Sequence, residues 1–111
     1  SSYRGVRFWA RRGETHTSDV RVQFQDANTY PLGGVCNPEP NTPDGCYNGF
    51  GTNLPLTTDW QLFELDFTRL TPRDFGLTGE ALDTTRVYLV EFGFVQGTVF
   101  DFWVDDLWFY D

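Results

Sequence analysis

Residues 4–11 alternate apolar Val6, Phe8 and Ala10 with Arg7, Trp9 and Arg11. This is the two-residue period of a strand that buries one face. Arg12-Gly13-Glu14 opens a turn, and residues 19–25 then set Val20, Val22 and Phe24 against Arg21, Gln23 and Gln25. The two runs read as an antiparallel pair with polar sides on a common face. Residues 60–67 place Phe63, Leu65 and Phe67 against Leu62, Glu64 and Asp66. Residues 86–94 place Tyr88, Val90, Phe92 and Phe94 inward, with Val87, Leu89 and Glu91 outward. A last strand over 100–110 turns Phe102 and Val104 in and Asp101, Trp103 and Asp105 out. The adjacent acids Asp105-Asp106 suggest a bulge that resets the register, so that Leu107 and Phe109 return to the core with Trp108 and Tyr110 opposite. No stretch of ten residues has a helical period, although Thr71-Pro72-Arg73-Asp74 can start one turn. The pattern predicts one all-β domain over residues 1–111, an antiparallel β-sandwich.

Residues 26–58 break the pattern. They hold five of the six prolines, and so long an irregular segment in a small domain is functional or disordered. Cys36 and Cys46, with the rings of Tyr30, Tyr47 and Phe50, argue for order. The alternative to a disulfide is two reduced thiols in a cytosolic protein. Closely spaced loop cysteines are the usage of secreted domains, so pairing is expected. Two Cys and a distant His16 fall short of the four ligands of a zinc site. His16 itself reads as a solvated turn residue.

Composition narrows the partners. The chain carries 16 Asp and Glu against 8 Arg and a net charge of −8, which disfavours nucleic acid and anionic lipid. No apolar run approaches the roughly 20 residues that cross a bilayer. Ser1-Ser2-Tyr3-Arg4 has no leader pattern, so a secreted context means a leader already removed or a module cut from a longer chain. Aromatics are the positive signal: 4 Trp, 5 Tyr and 11 Phe exceed what a core of this size needs. Sugar rings pack axial C–H patches on aromatic faces and hydrogen-bond at their edges. Trp9, Tyr30, Tyr47 and Trp103 are therefore the candidate stacking residues. Arg21, Gln23, Gln25, Glu91 and Asp101 are the candidate hydrogen-bonding residues, with Arg7 and Arg11 beside them, provided their strands share one sheet. The competing explanation is an ordinary solvated face with Trp9 packed under the long loop. For Phe50 and Trp60 a structural role is expected. An acidic pocket suits a neutral glycan better than an anionic one. Catalysis is not expected: a glycosidase needs two carboxylates about 5–9.5 Å apart across a cleft, and the chain has no Ser/His/Asp set or phosphate-cradling glycine motif.

Three segments resemble bacterial carbohydrate-binding modules of the galactose-binding-like jelly-roll type. They are Ser2-Tyr3-Arg4-Gly5-Val6-Arg7-Phe8-Trp9-Ala10-Arg11, Thr58-Asp59-Trp60-Gln61-Leu62-Phe63, and Phe100-Asp101-Phe102-Trp103-Val104-Asp105-Asp106-Leu107-Trp108-Phe109. The loop from Gly33 to Gly51, with its two Cys, is similar to one in secreted members. The resemblance implies a jelly roll, here starting almost inside a strand that relatives precede with others, and hence an open edge that can pair with a partner or a second copy. It implies a secreted, non-catalytic module that binds β-linked plant polysaccharide (mixed-linkage glucan, xyloglucan, cello-oligosaccharides) and is attached to a catalytic domain. No cofactor is required. Relatives hold a structural calcium near the closing Asp-Asp, so Asp105 and Asp106 are candidate ligands; the alternative is a bulge whose carboxylates accept backbone N–H groups. A structural or adhesive sandwich that binds protein through the open edge is the rival reading.

Overall fold

Alternating runs rich in β-branched and aromatic residues form β1 (Gly5–Arg12), β2 (Val20–Asp26), β3 (Phe50–Leu54), β4 (Gln61–Asp66), β5 (Val87–Gly93) and β6 (Phe102–Tyr110) in a computed structural model. The structure describes residues 3–15, 19–39, 42–73, 82–94 and 99–111. His16, the turn expected at Gln96-Gly97-Thr98 and residues 74–81 of the long connection lie outside them. The strands make two antiparallel sheets, a first of order β4-β1-β6 and a second of order β3-β2-β5. Val6, Phe8 and Ala10 of β1 and Val20, Val22 and Phe24 of β2 are completely buried in one core between the sheets, with Phe50, Leu54, Phe67 and Leu70. Phe8 meets Phe92 edge to face across the interface at 5.6 Å. Each such ring contributes about 1.5–3 kcal/mol by leaving water. The result is a β-sandwich.

The expected pairing of β1 with β2 does not occur. The two strands face each other from opposite sheets. Alternation states only that each strand buries one side, and facing across a core satisfies that as fully as lying side by side.

Three further expectations are corrected. Residues 26–58 contain a strand, β3, and Phe50 belongs to the core rather than to a loop cluster. In β5 the phase slips at its start. Asp26 pairs with Val87 but Gln25 with Leu89, so Val87 packs on the core and Tyr88 turns out. Phe94 lies past the strand end, exposed and stacked on Phe100 at 4.0 Å. Finally, Leu107 and Phe109 are not core. β6 is an edge strand, and its inner side is only partly covered there, with Phe109 held between Tyr3 and Phe67.

The bulge in β6 is present. Trp9 pairs with Asp105 and Arg7 with Trp108, so Asp106 and Leu107 together oppose Phe8. Asp106 takes a left-handed backbone, φ 51°, and its N–H donates to Asp105 Oδ1 at 2.9 Å. Cys36 and Cys46 form a disulfide, their Cα atoms 5.0 Å apart.

Candidate functional site

The outward residues of the two sheets form two separate surfaces. The domain is only 19 Å through its thinnest axis, yet the core lies between them. No single sugar chain lying on one sheet reaches the residues of the other. Of the candidate residues, Arg21, Gln23, Gln25, Glu91, Tyr30 and Tyr47 belong to the second sheet and its loop. Trp9, Asp101 and Trp103 belong to the first.

The first sheet's outward face gathers all four tryptophans, each 37–44% exposed. Trp9 pairs with Leu62 and Asp105, and Trp108 with Arg7. The Arg11 guanidinium lies 4.5 Å from the Trp103 ring centroid and 5.6 Å from that of Trp60. Arg7 lies 4.2 Å over Tyr110 and forms an ion pair with Glu64 at 2.9 Å. The Trp103 face turned toward Arg11 is thus already covered. Asp101 sits at the strand end, where its carbonyl accepts the Gly13 N–H at 2.6 Å. Asp105 and Asp106 are exposed in the bulge. Among the described residues no group of three or more His, Cys, Asp or Glu converges. Asp105 Oδ1 accepts the backbone N–H of Asp106.

The second sheet's face is built differently. Gln23 and Glu91 pair across β2 and β5. Arg21 Nε donates to Gln23 Oε1 at 3.3 Å, Gln23 Nε2 to Glu91 Oε1 at 3.2 Å, and Gln25 Nε2 to the same Glu91 oxygen at 2.8 Å. The result is a continuous polar row. Gln25 is completely buried. It also donates to the Tyr47 carbonyl at 3.2 Å, and its Oε1 has no donor among the described residues. Room for these side chains comes from the glycine just before β3: a Cβ on Gly49 would stand 2.8 Å from the Phe24 carbonyl and 2.9 Å from Gln25 Nε2.

Residues 46–49 assemble the ends of the row. The disulfide fixes Cys46. Tyr47 adopts φ 77°, donates its N–H to the Thr29 carbonyl at 2.7 Å and is 52% exposed. Its ring meets Tyr30 edge to face at 6.1 Å, and Tyr30 meets Tyr88 likewise at 6.1 Å. Tyr30 is positioned by the turn after β2, where buried Asp26 accepts the N–H groups of Asn28, Thr29 and Asp83. Asn48, also buried, donates to the Arg73 carbonyl at 2.6 Å and accepts the Arg73 N–H at 2.7 Å.

At the opposite end from the tyrosines, Arg21, Gln23, Arg73, Glu91, Phe92, Gly93 and Phe94 enclose a groove of about 180 Å³. Burial, and then the charge of Arg73, hold Arg21 below the usual guanidinium range. Arg73, Phe94 and Tyr88 were not singled out from the sequence. Arg73 follows the Pro of an irregular connection, and both rings fall in the inward phase of a run that slips. The only available signal was the loop itself.

No family model, curated protein or solved structure matches the chain.

Proposed function

We propose that the outward face of the second sheet binds a β-linked plant cell-wall polysaccharide, and that the domain is a non-catalytic module holding an attached enzyme near that substrate. One observation carries the reading. The row Arg21–Gln23–Glu91–Gln25 runs between aromatic groups, Tyr30, Tyr47 and Tyr88 at one end and Phe94 at the other. Rings meet the apolar faces of a pyranose, while amides, carboxylate and guanidinium meet its equatorial hydroxyls. Tethering then raises the local concentration of the enzyme at its substrate. Glu91 is the one carboxylate lining the groove among the described residues, which favours binding over a two-carboxylate hydrolysis. The disulfide suits a secreted setting, and no described helix is long and apolar enough to cross a membrane.

Affinity electrophoresis through gels containing β-glucan, xylan or mannan tests the proposal. Retardation on at least one gel is expected. Tyr47→Ala and Gln23→Ala should each weaken it about tenfold, the worth of one good contact, whereas Trp9→Ala on the opposite face leaves it unchanged. Loss on Trp9→Ala with retention on Tyr47→Ala would move the site to the tryptophan face, and no retardation on any gel removes the function.

The rival reading is a structural or adhesive sandwich that binds protein at its edge. It has its own support in a cleft of about 210 Å³ lined by Tyr3, Phe67, Thr84, Thr85, Val87 and Phe109, the last on edge strand β6. It requires concentration-dependent mass in light scattering; a constant monomer mass at all concentrations leaves the glycan reading in place.

A further inference from the structure

We infer that the Arg21–Arg73 end of this groove takes an acidic sugar unit, one bearing a uronic carboxylate or a sulfate ester on a β-linked chain. The inference rests on the glycan-binding reading above and changes the ligand class from neutral to anionic.

The chain has twice as many acids as arginines, and among the described residues two guanidiniums outside the groove form ion pairs. Arg7 pairs with Glu64 at 2.9 Å and Arg4 with Asp66 at 3.7 Å. In the groove two guanidiniums lie together, and among the described residues neither has a carboxylate within ion-pair distance. Arg21 is half-buried and donates only to neutral acceptors, the Gln23 amide and the carbonyls of Thr71 at 2.7 Å and Gly49 at 3.5 Å. Arg73 is held beside it by buried Asn48, which takes up both backbone polar groups of Arg73. Like charges held at close range are unfavourable, and Arg73 adds to the burial that already disfavours a charged Arg21. Asn48 anchors the Arg73 backbone at the rim of the groove that Arg21 also lines, and an anion between the two guanidiniums relieves the repulsion with charge-assisted hydrogen bonds.

The net charge of −8 does not override this. At physiological ionic strength charges more than about 8 Å away are largely screened, so the groups in contact with the anion decide. Among the described residues Glu91 is the one acid lining the groove, and Gln23 and Gln25 both donate to it. The polarity of the bound chain follows: the acidic group lies at the Arg73 and Phe94 end, and neutral hydroxyls lie over Gln23 and Glu91.

Calorimetric titration of the whole domain tests this with two pairs of probes. One pair is xylohexaose and the same backbone bearing a glucuronic acid; the other is cellohexaose and its sulfated form. At least one acidic probe should bind about tenfold or more tighter than its neutral parent, with the advantage shrinking as salt rises from about 0.05 to 0.5 M. The pair that shows the advantage tells carboxylate from sulfate. Arg73 is exposed, so Arg73→Gln should fold normally. It should abolish the advantage, and Arg73→Lys should retain part of it. Equal affinity for acidic and neutral probes, or an advantage that survives Arg73→Gln, overturns the inference and leaves the glycan face intact. Binding of none of the four probes overturns both.

Discussion

At the scale of single residues the second sheet's face depends on side chains that no ligand would touch. Asn48 is the clearest. It is buried, and its one amide satisfies both the N–H and the carbonyl of Arg73 across 25 positions of sequence. Removing it leaves two backbone groups without partners at a partly buried site, a loss of about 1–3 kcal/mol. Asn48→Ala should therefore lower the unfolding free energy measured in urea by that amount, and it should also erode the discrimination between acidic and neutral sugars, because the Arg73 backbone is no longer held. Asn48→Asp keeps the acceptor and loses the donor, so it should fall between. An Asn48→Ala protein of unchanged stability would mean that the connection after β4 is secured elsewhere. Tyr47 and Gln25 share this logic: the Tyr47 carbonyl takes the Gln25 amide while its ring stays open to solvent.

At the scale of elements the edge strand β6 carries, at Asp106, the one strand residue with a left-handed backbone among the described residues. An L residue there costs of the order of 1–3 kcal/mol, and a β-branched one more. Asp106 lessens the cost by donating its N–H to Asp105. Asp106→Gly should be as stable as the parent or up to about 1 kcal/mol more so, and Asp106→Val should lose about 1–3 kcal/mol in urea denaturation. Equal stability of the Val and Gly forms would show that the bulge has slipped out. This bulge was legible in the sequence because two successive acids interrupt an otherwise regular alternation. Five of the six strands were legible for the same reason, from runs such as Val6, Phe8, Ala10 and Val20, Val22, Phe24. β3 was not, because Gly51 and Asn53 break its pattern and prolines and glycines surround it. The phase of β5 was misread at Tyr88, since a one-residue slip exchanges faces and leaves no mark on composition.

At the scale of the whole molecule the sheet partners were the illegible part. Alternation assigns each residue to an inner or outer side but not to a sheet. Trp9 and Trp103 were therefore grouped with Gln23 and Glu91, from which the core now separates them. The exposed tyrosines and the Gln and Glu row were legible as chemistry. Arg73 was not, because only the fold of the loop brings it to Arg21.

Acid stability is also a property of the whole chain, with two opposing parts. Lowering the pH from neutrality toward the isoelectric point near 4.4 removes net negative charge and relieves self-repulsion. Against this, two carboxylates lose native partners. Asp66 is held below the usual carboxylate range first by the Thr68 hydroxyl at 2.7 Å, then by the Thr68 N–H at 2.9 Å, with Arg4 assisting. Asp83 is held down in the same way by the Thr85 hydroxyl and N–H. A depressed folded value means that the stabilisation is complete above the unfolded value of about 4. It is lost as the pH falls through the lower folded values. Tyr110 behaves oppositely: burial, then Glu64 and Asp66, raise it, so its contribution holds below about pH 10 and is lost above. Thr68→Val with Thr85→Val removes the two hydroxyl bonds and leaves net charge unchanged. The difference in Tm between parent and variant should be constant above about pH 5 and shrink steadily below about pH 4. A difference that stays constant through the acid limb would mean that Thr68 and Thr85 act by packing alone.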